Sequence, residues 1–94
     1  VLESAIERKV VHDAAKKWGV YSIKLNGPGS RGWPDRLYIL PGGRVRFHEY
    51  KSPTGRLSPI QKHIHEVMAT KGHYVQVFSD ANRALEDLEA ELLC

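Results

Sequence analysis

A chain of 94 residues with fourteen Lys or Arg against eleven Asp or Glu, net charge +3, is expected to form one domain around a single modest core, with no room for a second module. It carries no signal peptide or long apolar run, so a soluble, cytoplasmic protein is expected, and its lone cysteine, Cys94, excludes an internal disulfide framework and a cysteine-based zinc cluster. Val1 is not a natural first residue, which suggests that at least one residue is missing before it.

Residues 3 to 18 have helical periodicity. Val10, Val11, Ala14, Ala15 and Trp18 share one arc, opposite Arg8, Lys9, His12, Asp13 and Lys16. Glu7 projects into the middle of the apolar arc, and Glu3 lies one turn earlier on the same face. A carboxylate there must pair with a cation, bind a metal through water, or sit at the helix edge. Glu3 has a simpler explanation as a first-turn acid favoured by the helix dipole. Gly19 ends the helix.

A short strand is expected within Val20 to Leu25. The loop Asn26-Gly27-Pro28-Gly29-Ser30-Arg31-Gly32 follows, mobile by composition, either closing over a substrate or simply joining strands. Arg36 to Leu40 and Arg44 to Lys51 read as two antiparallel strands turned by Pro41-Gly42-Gly43. In the second of them, one face carries Val45 and Phe47, then Glu49 and Lys51; the other carries Arg44, Arg46, His48 and Tyr50. The apolar face, expected to pack on the core, thus turns charged at its end.

If the pairing centres on the turn, Asp35 falls opposite Glu49 on the face of Leu37 and Ile39. Two carboxylates so placed raise each other's pKa unless a cation sits between them. Lys51 supplies one positive charge and a divalent metal the rest. Mg²⁺ suits the position because it takes oxygen ligands and is held by one or two carboxylates plus waters and substrate phosphate, with the Tyr50 carbonyl as a further ligand. An edge hairpin with a solvated Glu/Lys ladder is the alternative from alternation alone.

Ser58-Pro59-Ile60-Gln61 is a capping box with Pro in the first turn, so helix initiation alone explains Gln61. Ile60, Ile64, Val67 and Met68 form the stripe that packs this helix on the sheet, and Gly72 stops it. Tyr74 to Phe78 reads as a buried strand, and Asp80 to Leu93 as a last helix with Leu85, Leu88 and Leu92 inward. A helix between two strands implies a crossover and a mixed sheet, giving an α/β fold of order α-β-β-β-α-β-α. The five histidines show no ligand spacing and read as surface or boundary residues, with His48 alone near the carboxylates.

Glu7, Gly32-Trp33-Pro34-Asp35, Glu49-Tyr50-Lys51 and Gly55-Arg56-Leu57-Ser58-Pro59-Ile60-Gln61, in that order and over most of the chain, resemble the virus-type replication-repair nuclease (VRR-NUC) family of the PD-(D/E)xK superfamily. Phage-encoded stand-alone members are the most similar in layout, which points to the cytoplasm of a phage-infected bacterium. The resemblance implies a restriction-endonuclease-like core and Mg²⁺- or Mn²⁺-dependent hydrolysis of DNA phosphodiesters, leaving a 5′-phosphate and a 3′-hydroxyl. It implies Asp35, Glu49 and the Tyr50 carbonyl as metal ligands. Lys51 would position or deprotonate the attacking water, Glu7 would complete the site through water or a second metal, and Gln61 would stand near the reaction. Trp33 departs from the family, where a small aliphatic residue is common; it could alter loop packing or stack on a base.

Charge is unevenly spread. Residues 1 to 62 hold twelve Lys or Arg against five Asp or Glu, while residues 63 to 94 hold two against six. Lys24, Arg31, Arg36, Arg44, Arg46, Arg56 and Lys62 are candidate phosphate contacts, led by Arg31 and Arg56 in the Gly-rich loops; such contacts steer DNA without reading its sequence. With no sequence-reading module, specificity is expected to come from DNA shape. Three functions fit: a homodimeric endonuclease cutting branched DNA such as Holliday junctions in replication, recombination or repair; a general nicking or exonucleolytic enzyme; and a catalytically silent DNA-binding subunit. Paired cuts on a junction need two sites related by a two-fold axis, hence the homodimer.

Overall fold

The first helix, α1 (Glu3–Trp18), closes at Gly19, whose φ of +64° is the left-handed conformation that the end of a helix asks for. Three strands follow, β1 (Ser22–Lys24), β2 (Arg36–Ile39) and β3 (Val45–Tyr50), the last two joined by a 3-10 turn at Pro41–Gly43. Then come α2 (Pro59–Thr70), β4 (Val75–Phe78) and α3 (Ala81–Leu92). This computed structural model describes residues 2–94. The element order is the expected α-β-β-β-α-β-α.

The sheet runs β1-β2-β3-β4, antiparallel at the first two pairings and parallel at the last, where α2 makes the crossover. Arg36 pairs with His48 and Ile39 with Val45. That register puts Asp35, one residue before β2, across from Glu49, as a pairing centred on the Pro41–Gly43 turn requires.

The two faces of the sheet are not used as the alternation suggests. The core gathers Ile6, Val10 and Ala14 of α1 and Ala84, Leu85 and Leu88 of α3 against Tyr38, Leu40 and Tyr50, with Val20. The packed face of β3 is therefore the one bearing Arg46, His48 and Tyr50, and His48 is wholly buried. The face expected to be the core side carries α2 instead, and it leaves Ile39 and Val45 exposed.

Tyr38 of β2 and Arg46, His48 and Tyr50 of β3 can occupy the packed face because their polar tips are bonded. Tyr38 and Tyr50 share a hydroxyl hydrogen bond of 2.8 Å, and His48 Nδ1 lies 2.8 Å from the Tyr50 hydroxyl. His48 Nε2 lies 2.8 Å from Asp87 Oδ2, and Arg46 grips the same carboxylate with two donors at 3.0 and 2.5 Å. Satisfied in this way, the rings pack like apolar groups.

Two further expectations are corrected. β4 is an edge strand with Val77 exposed and Tyr74 outside it, not a buried strand. The stripe on α2 is only partly covered: Met68 is buried, but Ile60 and Val67 face solvent, because α2 lies on the thinly packed side of the sheet.

Candidate active site

Asp35 is delivered to the start of β2 by a loop that packs hard on α2. Gly32 there has φ +87°, and a Cβ on it would lie 2.9 Å from Ile60 Cγ1 and 3.0 Å from both the Ile60 carbonyl oxygen and Ile64 Cγ1. Only glycine fits both the conformation and the gap. Pro34 is buried behind it, Trp33 stays partly exposed, and Asp35 is held at both oxygens. Its Oδ2 accepts the Tyr50 backbone N–H at 2.7 Å and its Oδ1 accepts the Asn26 side-chain amide.

Glu49 is the unusual residue. It is 1% exposed, and its Oε1 is buried with no hydrogen-bond partner. Burial above all, then the charge and hydrogen bonding of the adjacent Asp35, pushes its carboxyl up to about 8, with a smaller push from Glu3 and opposition from the Lys51 ammonium.

Two side chains of α2 reach this carboxylate. Gln61 completes the capping box: Ser58 Oγ accepts the Gln61 N–H at 3.2 Å and Gln61 Oε1 accepts the Ser58 N–H at 2.8 Å. With Oε1 so engaged, the amide NH₂ is turned toward Glu49, where Nε2 lies 3.5 Å from Oε2. Helix initiation and proximity to the carboxylates are thus two uses of one side chain. His65, one turn further on, places Nε2 3.4 Å from Glu49 Oε1. Desolvation holds His65 below its ordinary pKa, the Asp35 charge working against that and the Lys51 charge with it.

His65 was missed in the sequence, and His48, assigned to the neighbourhood of the site, belongs to the core on the opposite face. The missed signal was the four-residue step from Gln61, which puts both on one helical face. Asp35, Glu49 and Gln61 do come together, with the Lys51 charge bearing on Glu49 and Tyr50 tied to Asp35 by its N–H. Glu7 is held elsewhere: its carboxylate accepts from Lys24 Nζ at 3.1 and 2.9 Å and from Arg36 Nε at 2.6 Å. Pairing with cations is the outcome for Glu7. Glu3 accepts the Ser52 N–H at 3.2 Å, just beyond Lys51.

Pairing also claims several candidate phosphate contacts. Lys24 and Arg36 line a cleft of about 500 Å³ with Glu7, Arg8 and His12, to which Asp35 and Glu49 contribute nothing. Arg44 donates to the Glu91 carbonyl at 2.6 Å, and Arg46 is bound to Asp87. Arg31, Arg56 and Lys62 remain exposed, with no side-chain hydrogen bond or ion pair among the described residues.

Among the described residues no three His, Cys, Asp or Glu side chains form a complete metal cage. What the site offers is a pair of carboxylates with one orphaned, buried oxygen, which fits a hard cation that keeps waters and takes only one or two carboxylates.

A mixed sheet flanked by helices, with an acid at the head of β2 facing Glu-Tyr-Lys at the end of β3, defines a restriction-endonuclease-like core of the PD-(D/E)xK class. A solved structure described as "VRR_NUC domain" matches with a TM-score of 0.76 at 28% identity, over 93% of this chain and 94% of that one. A protein of Acyrthosiphon pisum secondary endosymbiont phage 1, named "Putative nuclease p44", is 38% identical over 77 residues, 82% of either chain. No family model matches the sequence. On the strength of these two similarities the chain belongs to the VRR-NUC family.

Proposed function

We propose that this chain is a divalent-metal-dependent deoxyribonuclease that hydrolyses phosphodiester bonds of branched DNA, such as Holliday junctions, and works as a homodimer. The observation that carries the reading is Glu49: a carboxyl buried beside Asp35, with one oxygen unpartnered, keeps its proton at neutral pH unless a cation offsets the negative charge. Asp35, Glu49 and the Tyr50 carbonyl are the oxygen donors that would hold Mg²⁺ or Mn²⁺. When bound, such an ion polarises the scissile phosphate and makes water a better nucleophile at neutral pH.

Lys51 directs its ammonium charge at the same place, where it orients the attacking water and offsets the negative charge that builds on the phosphoryl oxygens. Water adds to phosphorus and the bond to O3′ breaks, leaving a 5′-phosphate and a 3′-hydroxyl. Gln61, locked by the capping box, holds one side of Glu49. Arg31, Arg56 and Lys62 are free to neutralise backbone phosphates. Glu7 keeps Lys24 and Arg36 in place and contributes to the site only if those ion pairs open on DNA binding.

The test is cleavage of labelled four-way junction, nicked, flap and linear duplex DNA with Mg²⁺, Mn²⁺ or EDTA, comparing wild type with Lys51→Ala. Metal-dependent paired cuts in the junction, lost in the variant, are expected. Equal cutting of every substrate would replace junction selectivity by general nuclease action. Tight DNA binding without cutting would leave a silent binding subunit.

A further inference from the structure

Glu49 is approached from α2 by two side chains one helical turn apart, Gln61 toward Oε2 and His65 toward Oε1. Glu49 Oε1 and His65 Nε2 are both buried and neither has a hydrogen-bond partner, yet they face each other at 3.4 Å. A buried polar atom left unpaired costs about 1–3 kcal/mol. Two such atoms within 3.4 Å become a hydrogen bond when a small reorientation of the imidazole turns an N–H onto the oxygen.

His65 is poorly placed to be anything else. The imidazole side chain is 13% exposed, so it offers little to solvent or to a distant phosphate. It does not complete a three-side-chain metal cage with Asp35 and Glu49. Imidazole is also a poor partner for a hard, oxygen-seeking cation. A carboxylate that ligates such a cation needs its own orientation fixed by surrounding donors, and that is what an N–H on Oε1 provides.

We propose that His65 is a positioning residue for Glu49. Its Nε2–H donates to Oε1 while the Gln61 amide donates to Oε2, and the two donors hold the carboxylate plane so that its remaining lone pairs face the cation. The inference rests on the metal-dependent reading above and adds a residue to it. It also explains why α2 carries two polar side chains on the face turned to the sheet.

The experiment is calorimetric titration of Mg²⁺ and of Mn²⁺ into DNA-free wild type, His65→Ala, His65→Gln and Glu49→Ala, with a thermal melt of each to establish folding. His65→Ala is expected to bind metal about 10–100-fold more weakly, and His65→Gln, which restores an N–H donor, to return within about threefold of wild type. A long-range ¹H–¹⁵N spectrum of the Mg²⁺-loaded wild type is expected to show the Nε2-protonated tautomer. Wild-type affinity in folded His65→Ala, failure of His65→Gln to recover, or the Nδ1-protonated tautomer would each overturn the proposal. Weak binding by Glu49→Ala beside undiminished binding by His65→Ala overturns this proposal alone. Undiminished binding by Glu49→Ala overturns the reading of the site and this proposal with it.

Discussion

A carboxyl group that is 1% exposed and held protonated up to about pH 8 works against the metal-free fold in alkaline solution. The folded pKa of Glu49 lies above the ordinary 4.5, so between those values the folded state keeps a proton that the unfolded chain has released. Stability from this group is full below pH 4.5 and is lost as the pH rises through 8. Glu49→Gln removes that dependence. In EDTA at pH 9 the variant should be more stable than wild type by about 2–4 kcal/mol, the gap closing toward pH 5, as read from thermal or urea denaturation. The same variant should have no cleavage activity. Lys51→Ala is its counterpart: cleavage should be abolished while the fold and metal binding persist, because on the proposed reading Lys51 supplies charge to the reaction, and among the described residues its side chain makes no hydrogen bond. Wild-type cleavage by Lys51→Ala would remove it from the site.

Along β3 the alternation in the sequence is right and its sidedness is reversed. Val45 and Phe47 suggest the core face, yet the core takes Arg46, His48 and Tyr50, because Asp87 of α3 and Tyr38 of β2 complete their hydrogen bonds. Nothing local in the strand announces partners almost forty residues away. The features set by short-range chemistry were legible: the stop at Gly19, the capping box at Ser58 and Gln61, and the register that brings Asp35 opposite Glu49. The position of His65 depended on how α2 is rotated over the sheet, which is decided by packing of Ile60 and Ile64 against Gly32. Asp87 tests the other face. Burial opposes its ionisation, but hydrogen bonds from His48 and Arg46 hold it down at about 2, while desolvation lowers His48. Both folded pKa values lie below the unfolded ones, so their stability is present at neutral pH. It is lost first as pH falls through the unfolded His value of 6.5 and then between 3.8 and 2. Asp87→Ala leaves His48 Nε2 without its partner and Arg46 with only its 3.6 Å contact to Glu91, and should cost about 3 kcal/mol in urea denaturation at pH 7. Cleavage per folded molecule should persist, since this network is on the face away from Glu49.

At the scale of the whole molecule, the charge asymmetry of the sequence is partly spent inside the fold. The acidic last helix pairs with Arg44 and Arg46, and the single carboxylate of Glu7 is shared between Lys24 and Arg36. Of the candidate phosphate contacts, Arg31, Arg56 and Lys62 keep exposed charges without an ion pair among the described residues, so on the proposed reading replacing all three by Ala should flatten the dependence of log binding constant on log salt by about one unit per residue. The open side of the sheet is the candidate surface for the proposed homodimer. Ile23, Ile39 and Val45 are 53, 50 and 39% exposed on the face that α2 covers only toward Asp35 and Glu49. An apolar stripe of this kind is what a self-association surface requires, and it lies apart from the carboxylates, so pairing two copies through it need not cover either site. Charges placed there should separate subunits without touching the chemistry. Wild type is expected to sediment as a dimer, and Ile23→Glu combined with Val45→Glu, two positions that are not cross-strand partners, as a monomer whose stability changes by less than about 1 kcal/mol, as for exposed positions. On a four-way junction the monomer should make single nicks at a retained rate while losing the coincidence of the two cuts. Paired cuts from a wild-type monomer would break the link between this surface and junction resolution, because one site would then be acting twice.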